Sequence, residues 1–334
     1  MPSSGERGRS STPSTGEQRR FDISWLGYLG LLGFLDRYDP GAAIFYTFFL
    51  LFLIPVAARC LPSASGDTER RESAKAYARV YLWAWLSSFI NPYLFVHGVM
   101  ALVGQFVTLL RCRFAVPDPR TYSQAVILTL PFEGTWMVGN GGLDRKTSHS
   151  WDVINQRYAY DFLKVDAQGS NHRGDGKHLA DYYAFGCPVV APADGQVVAA
   201  ASGVRDYQRP GSGLVDFWTR DFRGNHLVLR HGPQEYSLLG HLKRGSLVVQ
   251  RGDAVRRGDV VGLCGNSGHS TEPHVHFQFM DRGEFFLAAS LPPRFLHADP
   301  CPGEGRYLTR GELVQTFALA ATTIPSLSDG APDL

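Results

Sequence analysis

With 33 Lys and Arg against 31 Asp and Glu over 334 residues, the formal charge is only +2, which excludes both the basic surface of a nucleic-acid binder and a strongly acidic surface. The length allows one substantial domain plus something smaller. Five cysteines (Cys60, Cys112, Cys187, Cys264 and Cys301), with no C-x-x-C pair among them, exclude a disulfide framework and a thiolate zinc knuckle.

Residues 1–20 are Ser, Gly, Pro and Arg with almost nothing apolar and read as a disordered N-terminal tail. Residues 21–115 read as a transmembrane helical region. The run 41–58, "GAAIFYTFFLLFLIPVAA", is uncharged and close to the length that a hydrocarbon core of about 30 Å requires. The run 81–110 is uncharged throughout, with a break predicted at Asn91-Pro92. The apolar stretch 23–35 is shorter, a half-span or one arm of a hairpin. A cleavable signal peptide fits poorly, since the apolar part starts late and no small-residue cleavage site follows it. Arg7, Arg9, Arg19 and Arg20, then Arg59, Arg70, Arg71, Lys75 and Arg79, favour a cytoplasmic N-terminus and a cytoplasmic loop 59–79. If 23–35 and 41–58 form a hairpin and 81–110 crosses once, the C-terminal domain faces outside. An even number of crossings would leave it inside, which Arg111 and Arg113 mildly favour, but outside is the preferred reading.

A linker over 116–124 leads to a domain over 125–300 of a different texture. Short β-branched and aromatic runs alternate with glycine-rich turns: "QAVILTL" (124–130), "RYAYDFLKV" (157–165), "CPVVAPADGQVVAAA" (187–201), "NHLVLRH" (225–231), "EYSLLGHL" (235–242) and "DVVGLCG" (259–265). That pattern predicts a mainly β domain, a sandwich or barrel. Residues 301–334 read as a C-terminal tail containing a brief helix near 309–321.

Chemistry enters with "EPHVHFQF" (272–279). Successive strand residues point to opposite faces, so His274 and His276 project from one side. An H-x-H in a strand is structural about as often as functional. Here, however, His241 ends a second predicted strand, and Asp161 stands between Tyr160 and Phe162, where a carboxylate is costly unless paired or metal-bound. Two imidazoles and a carboxylate, with one position left for water, make up a catalytic zinc site.

The ordered elements G-x-P-V-x-A-x-x-x-G-x-V, G-N-x-x-x-x-x-H, L-x-H-L, G-N-S-G and P-H-x-H-F, spread over roughly 125–290, resemble the lysostaphin-type (β-lytic, M23) zinc endopeptidases, which cut peptide bridges of bacterial peptidoglycan. The resemblance implies antiparallel sheets forming a groove, a duplicated-hybrid-motif-like fold, with one zinc ion per chain on its floor. It implies His276 and Asp161 as metal ligands, and His241 and His274 as non-ligand histidines beside the reacting water. It also implies peptidoglycan peptides or another peptide as substrate, with membrane lipid as a second partner and no nucleic acid.

One position departs from the family pattern. The first zinc histidine usually lies four residues before the aspartate, and that position here is Arg157. His149, after the glycine-rich 137–142 that reads as a wall of the groove, is the preferred replacement; His172 and His178 are weaker ones. His226, His231 and His97 read as structural, and His269 as a residue of the groove rim. The competing reading is an inactive relative that keeps the groove, lacks the metal and acts on wall hydrolases as a binding or activating module. The rhythm of 186–198 also suits a biotinyl or lipoyl carrier, but its turn, Ala193-Asp194-Gly195, has no lysine.

Overall fold

In the computed structural model, residues 90–296 and 305–316 are described. They fall within one unit, Arg59–Leu334. The expected tail 1–20, the apolar stretches 23–35 and 41–58, the loop 59–79, the first part of 81–110, Cys60, Cys301 and everything after Thr316 lie outside the described residues.

Ten strands follow helix α1 (Pro92–Arg111): β1 (Gly134–Asn140), β2 (Tyr160–Lys164), β3 (Pro188–Val190), β4 (Gly195–Ala201), β5 (Asn225–Gly232), β6 (Glu235–Leu242), β7 (Ala254–Val255), β8 (Val260–Leu263), β9 (Val275–Met280) and β10 (Leu313–Thr316). Eight form one antiparallel sheet in the order β10-β1-β2-β9-β6-β5-β4-β7, and β3 pairs with β8 in a second. The mainly antiparallel β domain expected from the sequence is what the chain forms.

Alternation sorts the large sheet into two faces. Tyr160 and Phe162 of β2, Leu227 and Leu229 of β5, and Val275, Phe277 and Phe279 of β9 enter the main core with Phe132, Trp136 and Phe295. Tyr160 stacks parallel to Phe162, and Phe295 meets Tyr160, Phe162 and Phe277 edge-on. Truncating any one of these buried rings would cost about 3–5 kcal/mol. The opposite face carries Asp161 and His276. Beside them lies a smaller core of Val228, Leu238 and Met280 under the 3-10 turn Phe285–Leu287. One sheet thus offers a dry side for stability and a second side for chemistry.

Three expectations need correction. "QAVILTL" makes no ladder, only a single bridge from Leu128 to Phe295, because its polar backbone is satisfied elsewhere: Thr129 N–H bonds the Pro192 carbonyl, and Ala125 and Val126 N–H bond the Glu235 carboxylate. The helix expected near 309–321 is instead, over 313–316, a strand. Gly311, at φ +87°, turns the chain, and Leu313–Thr316 pairs with β1 while Val314 enters the core. The sheet therefore continues beyond the boundary expected at 300. The stretch expected as a linker, 116–124, is fixed to the domain through Tyr158 Oη to the Pro117 carbonyl (3.0 Å) and Tyr122 Oη to Glu235 (2.5 Å).

Helix α1 is long and apolar enough to cross a membrane by length and composition. It starts where expected: Asn91 caps it by accepting from Tyr93 N–H, and Pro92 occupies a first-turn position, where a missing N–H costs nothing.

Candidate metal centre

A cross-strand row builds the site. Asn140 of β1 is paired with Asp161 of β2, Asp161 with His276 of β9, and His276 with Gly240 of β6. A register shift between Val138 and Asn140 brings the asparagine into the row. Gly240 packs directly against His276, a Cβ there lying 3.4 Å from the His276 Cβ, an ordinary contact. His241 follows Gly240, and His274 immediately precedes β9 on the side of His276.

His241 has a left-handed backbone, φ +57°, which costs a non-glycine residue on the order of 1–3 kcal/mol unless its surroundings hold it. Its N–H bonds the Arg223 carbonyl at 3.1 Å. Its ring Nδ1 lies 2.7 Å from the Ser267 carbonyl. A carbonyl only accepts, so Nδ1 carries the proton and Nε2 is left with its lone pair. His274 is anchored alike, with Nδ1 2.7 Å from the Glu272 carbonyl and Nε2 3.4 Å from Asp161 Oδ1. His276 turns the other nitrogen inward: its Nδ1 lies 2.8 Å from Asp161 Oδ1. The nearest ring nitrogens of His241, His274 and His276 lie within 4.8 Å of one another, and all three residues are buried.

His149 reaches the same carboxylate, with Nδ1 3.4 Å from Asp161 Oδ2. Its loop is shaped by Gly141, whose φ of +132° is outside the range of ordinary residues and whose Cβ would lie 2.3 Å from the Tyr160 ring. Ser148 Oγ then donates to the Arg157 carbonyl at 2.9 Å and ties the loop to the start of β2. Arg157 itself points away from the site. It follows the 3-10 turn Ile154–Gln156 rather than lying in the strand, bonds the Trp151 carbonyl through Nε, and lies 5.1 Å from the Trp151 ring centroid. The arginine thus places no cation in the site. His172 packs against Tyr182, and His178 caps the 3-10 turn Leu179–Asp181.

The electrostatics follow from burial and proximity. Burial works to raise the Asp161 carboxyl, but His149 and His274, with hydrogen bonds from His274 and His276, outweigh it and hold the group well below the usual carboxylate range. Burial, reinforced by His274 and His276, pushes His241 well down, so its ring is neutral. Burial also acts to lower His274, but Asp161 overrides it and the ring is raised. An ionised carboxylate among buried imidazoles, one with an uncommitted Nε2, is the donor chemistry of a divalent transition-metal site.

A cavity of about 330 Å³ opens beside the row. It is lined by Met137, Asn140, Asp161, Glu272, His274 and Arg310 among others, so of the glycine-rich 137–142 the first four residues line it. Asn140, Glu272 and Arg310 escaped sequence reasoning. Asn140 Nδ2 reaches Asp161 Oδ2 at 3.4 Å, and the asparagine in "GNGG" could have been suspected from its flanking glycines. The Glu272 carbonyl orients His274 through backbone alone, a role no residue type announces. Arg310 comes from the part of the chain expected as a tail. Among the remaining histidines, His231 bonds the Asp194 carbonyl and Ser237, and His226 bonds the Gly224 carbonyl, both as structural readings require. His269 is not on the rim. It lies against Phe217 and Phe222. Cys112, Cys187 and Cys264 are free thiols; burial pushes Cys264 well up, which removes thiolate chemistry there.

Known proteins resemble the part of the chain that holds His241, His274 and His276. The sequence model of peptidase family M23 matches residues 176–286. The peptidoglycan DD-endopeptidase ShyA of Vibrio cholerae is 33% identical over 94 residues, 28% of this chain and 21% of that protein. The glycyl-glycine endopeptidase ALE-1 of Staphylococcus capitis is 30% identical over 157 residues, 45% of this chain and 37% of that protein. Among solved structures, the catalytic domain of lysostaphin from Staphylococcus simulans is 23% identical, with 46% of this chain and 84% of that one covered and a TM-score of 0.27. The chain spans about a fifth to just over a third of the length of these curated relatives. Over residues 176–286 the chain carries a peptidase family M23 domain.

Proposed function

We propose that the protein is a membrane-tethered zinc endopeptidase whose domain faces outside the membrane and hydrolyses peptide bonds in peptidoglycan cross-links. His149, Asp161 and His276 are the ligands of one zinc ion per chain, and His241 and His274 are the catalytic residues. The observation that carries this reading is the row itself: a buried, ionised Asp161 with His149, His274 and His276 within 3.4 Å of its oxygens. The relatives' action on peptidoglycan supports the substrate class. Arg157, which favoured an inactive module, lies against Trp151.

When bound, the ion supplies Lewis-acid polarisation of a scissile carbonyl and acidifies a water nucleophile. The chain's own groups handle the protons. His241, neutral and fixed by Ser267, accepts one at Nε2. His274, whose Nδ1–H is committed to the Glu272 carbonyl, holds a proton at Nε2 beside Asp161 and donates it to oxygen or nitrogen on the substrate. Glu272 and Asn171, joined at 2.7 Å, stiffen the loop that positions His274.

The test is made on the purified full chain in detergent. Elemental analysis should find close to one zinc per chain. Soluble cross-linked muropeptides should be cleaved, the activity should vanish with chelator, and added zinc should restore it. A protein that folds but neither takes up zinc nor cleaves any peptide would leave only the binding-module reading.

A further inference from the structure

Helix α1 is amphipathic the wrong way round for a helix packed on a soluble domain. Its inward face is mostly polar or small, with Leu94 the large apolar residue buried on it. Asn91 Nδ2 donates to the Phe217 and Thr219 carbonyls at 3.0 and 2.8 Å. Gln105 accepts from Ile154 N–H, and Thr108 Oγ1 donates to the Leu287 carbonyl at 2.9 Å. Arg111 pairs with Asp281 at 2.5 Å. Gly104 lies so close that a Cβ would be 1.9 Å from the Phe286 carbonyl oxygen. The outward face, by contrast, presents Tyr93, Val96, Met100, Val103, Val107 and Leu110, all at least 40% exposed. Large apolar residues outside and hydrogen-bonding ones inside match an environment that is oil on one side and folded protein on the other.

We propose that α1 lies in the plane of an anionic bilayer surface, its outward face among the acyl chains, and does not cross the membrane. The inference rests on the membrane-tethered reading above and requires, for a domain facing outside, that the membrane be crossed once before α1 and not by a hairpin followed by 81–110. Twenty residues of helix span about 30 Å, the hydrocarbon thickness. Both ends of α1 are hydrogen-bonded to the same β domain, at 217–219 and at 281–287. A crossing helix would drag those polar loops through the hydrocarbon, where unsatisfied backbone groups cost several kcal/mol each. Lying flat, the helix needs only its outer face in lipid, about 5–10 Å deep.

The domain extends that face. Trp218, 70% exposed, stands between the two carbonyls that hold Asn91, and Arg220 lies 5.9 Å over the Tyr93 ring. Phe114, 67% exposed, and Arg113 continue it past the other end. Aromatic rings with Arg at both ends suit a headgroup layer of negative charge. The groove is thereby held at a fixed height above the membrane.

The test places a small fluorescent amino acid in turn at Val96, Val103 and Leu110 of the full chain, bound to phosphatidylglycerol-containing vesicles whose lipids are brominated at shallow or deep acyl positions. The expected result is equal quenching at all three positions, stronger from the shallow bromines. Deep quenching at Val103 with shallow quenching at Val96 and Leu110 would show a crossing helix and overturn the inference while leaving the tether intact. Fluorescence shielded from both bromines and aqueous iodide would show the chain itself covering the face, and would also overturn it. Failure of the full chain to associate with the vesicles would overturn tether and inference together. None of these outcomes touches peptide hydrolysis, which is measured separately.

Discussion

Two groups of histidines sit on this domain, and they have opposite uses. His149, His241, His274 and His276 surround Asp161, with two Nδ1–H groups tied to carbonyls and ring nitrogens converging on one carboxylate. His97, His226 and His269 gather around Phe222 and the Asp221–Arg223 pair. There His97 meets the rings of Phe222 and Phe286, His269 those of Phe217 and Phe222, and the His269 Nε2 is buried without a hydrogen bond. Burial alone does not make a histidine functional; the aim of its nitrogens does. In the first group the rings share an ionised acid; in the second, His97 and His269 lie against aromatic rings and His226 bonds the Gly224 carbonyl.

The comparison can be broken most sharply at the acid and at His276. Asp161→Ala or His276→Ala should abolish zinc binding and lower peptide hydrolysis on the order of 10⁴-fold, because the several kcal/mol that the ion supplies is lost outright. His241→Ala and His274→Ala should retain close to one zinc per chain yet lose about 10²–10⁴ in kcat, the range of a positioned proton-transfer group. Should either of these variants lose its metal, the division into ligands and proton carriers is wrong.

His149 separates what sequence could show from what only the fold could. His149→Ala should weaken zinc binding beyond the roughly 10–100-fold that a supporting outer residue costs, as measured by competition with a chromogenic chelator. Unchanged zinc binding would make His149 a bystander while leaving the enzyme in place. The acid and the H-x-H pair were legible because period-two alternation in "YAYDF" and "HVHFQF" fixes which side chains share a face. Which strands lie side by side was not, since β2 and β9 are paired across more than a hundred residues and nothing local in either records its partner. The reach of His149 depends on the left-handed Gly141 and on Ser148 binding the Arg157 carbonyl, backbone events that spacing alone does not encode. Leu313–Thr316 was hidden for another reason. A four-residue edge strand carries little periodicity, and it forms because β1 offers an open edge. Hydropathy marked α1 correctly as apolar but missed that its polar minority, Asn91, Gln105, Thr108 and Arg111, all face the domain.

The second histidine group makes the smallest prediction, and its sign is the opposite of an acid-stabilising pair. Burial lowers His269 to about 4, against the partial opposition of Asp216 and Asp221. In the unfolded chain the same ring titrates near 6.5. Between those values the unfolded chain binds a proton that the folded chain refuses, so stability is complete above about 6.5 and falls as the pH drops toward 4. His269→Leu removes this proton uptake while filling the space between Phe217 and Phe222 with an apolar side chain. Comparing urea unfolding at pH 7.5 and at pH 4.5, the acid-induced loss of stability should be smaller in the variant by on the order of 1–3 kcal/mol, with zinc content at neutral pH unchanged. An equal acid-induced loss in both proteins would mean that His269 is solvated enough to protonate in place. A fall in zinc content would mean that the two groups of histidines are coupled through Phe222 and the 267–274 loop, not separate as their contacts indicate.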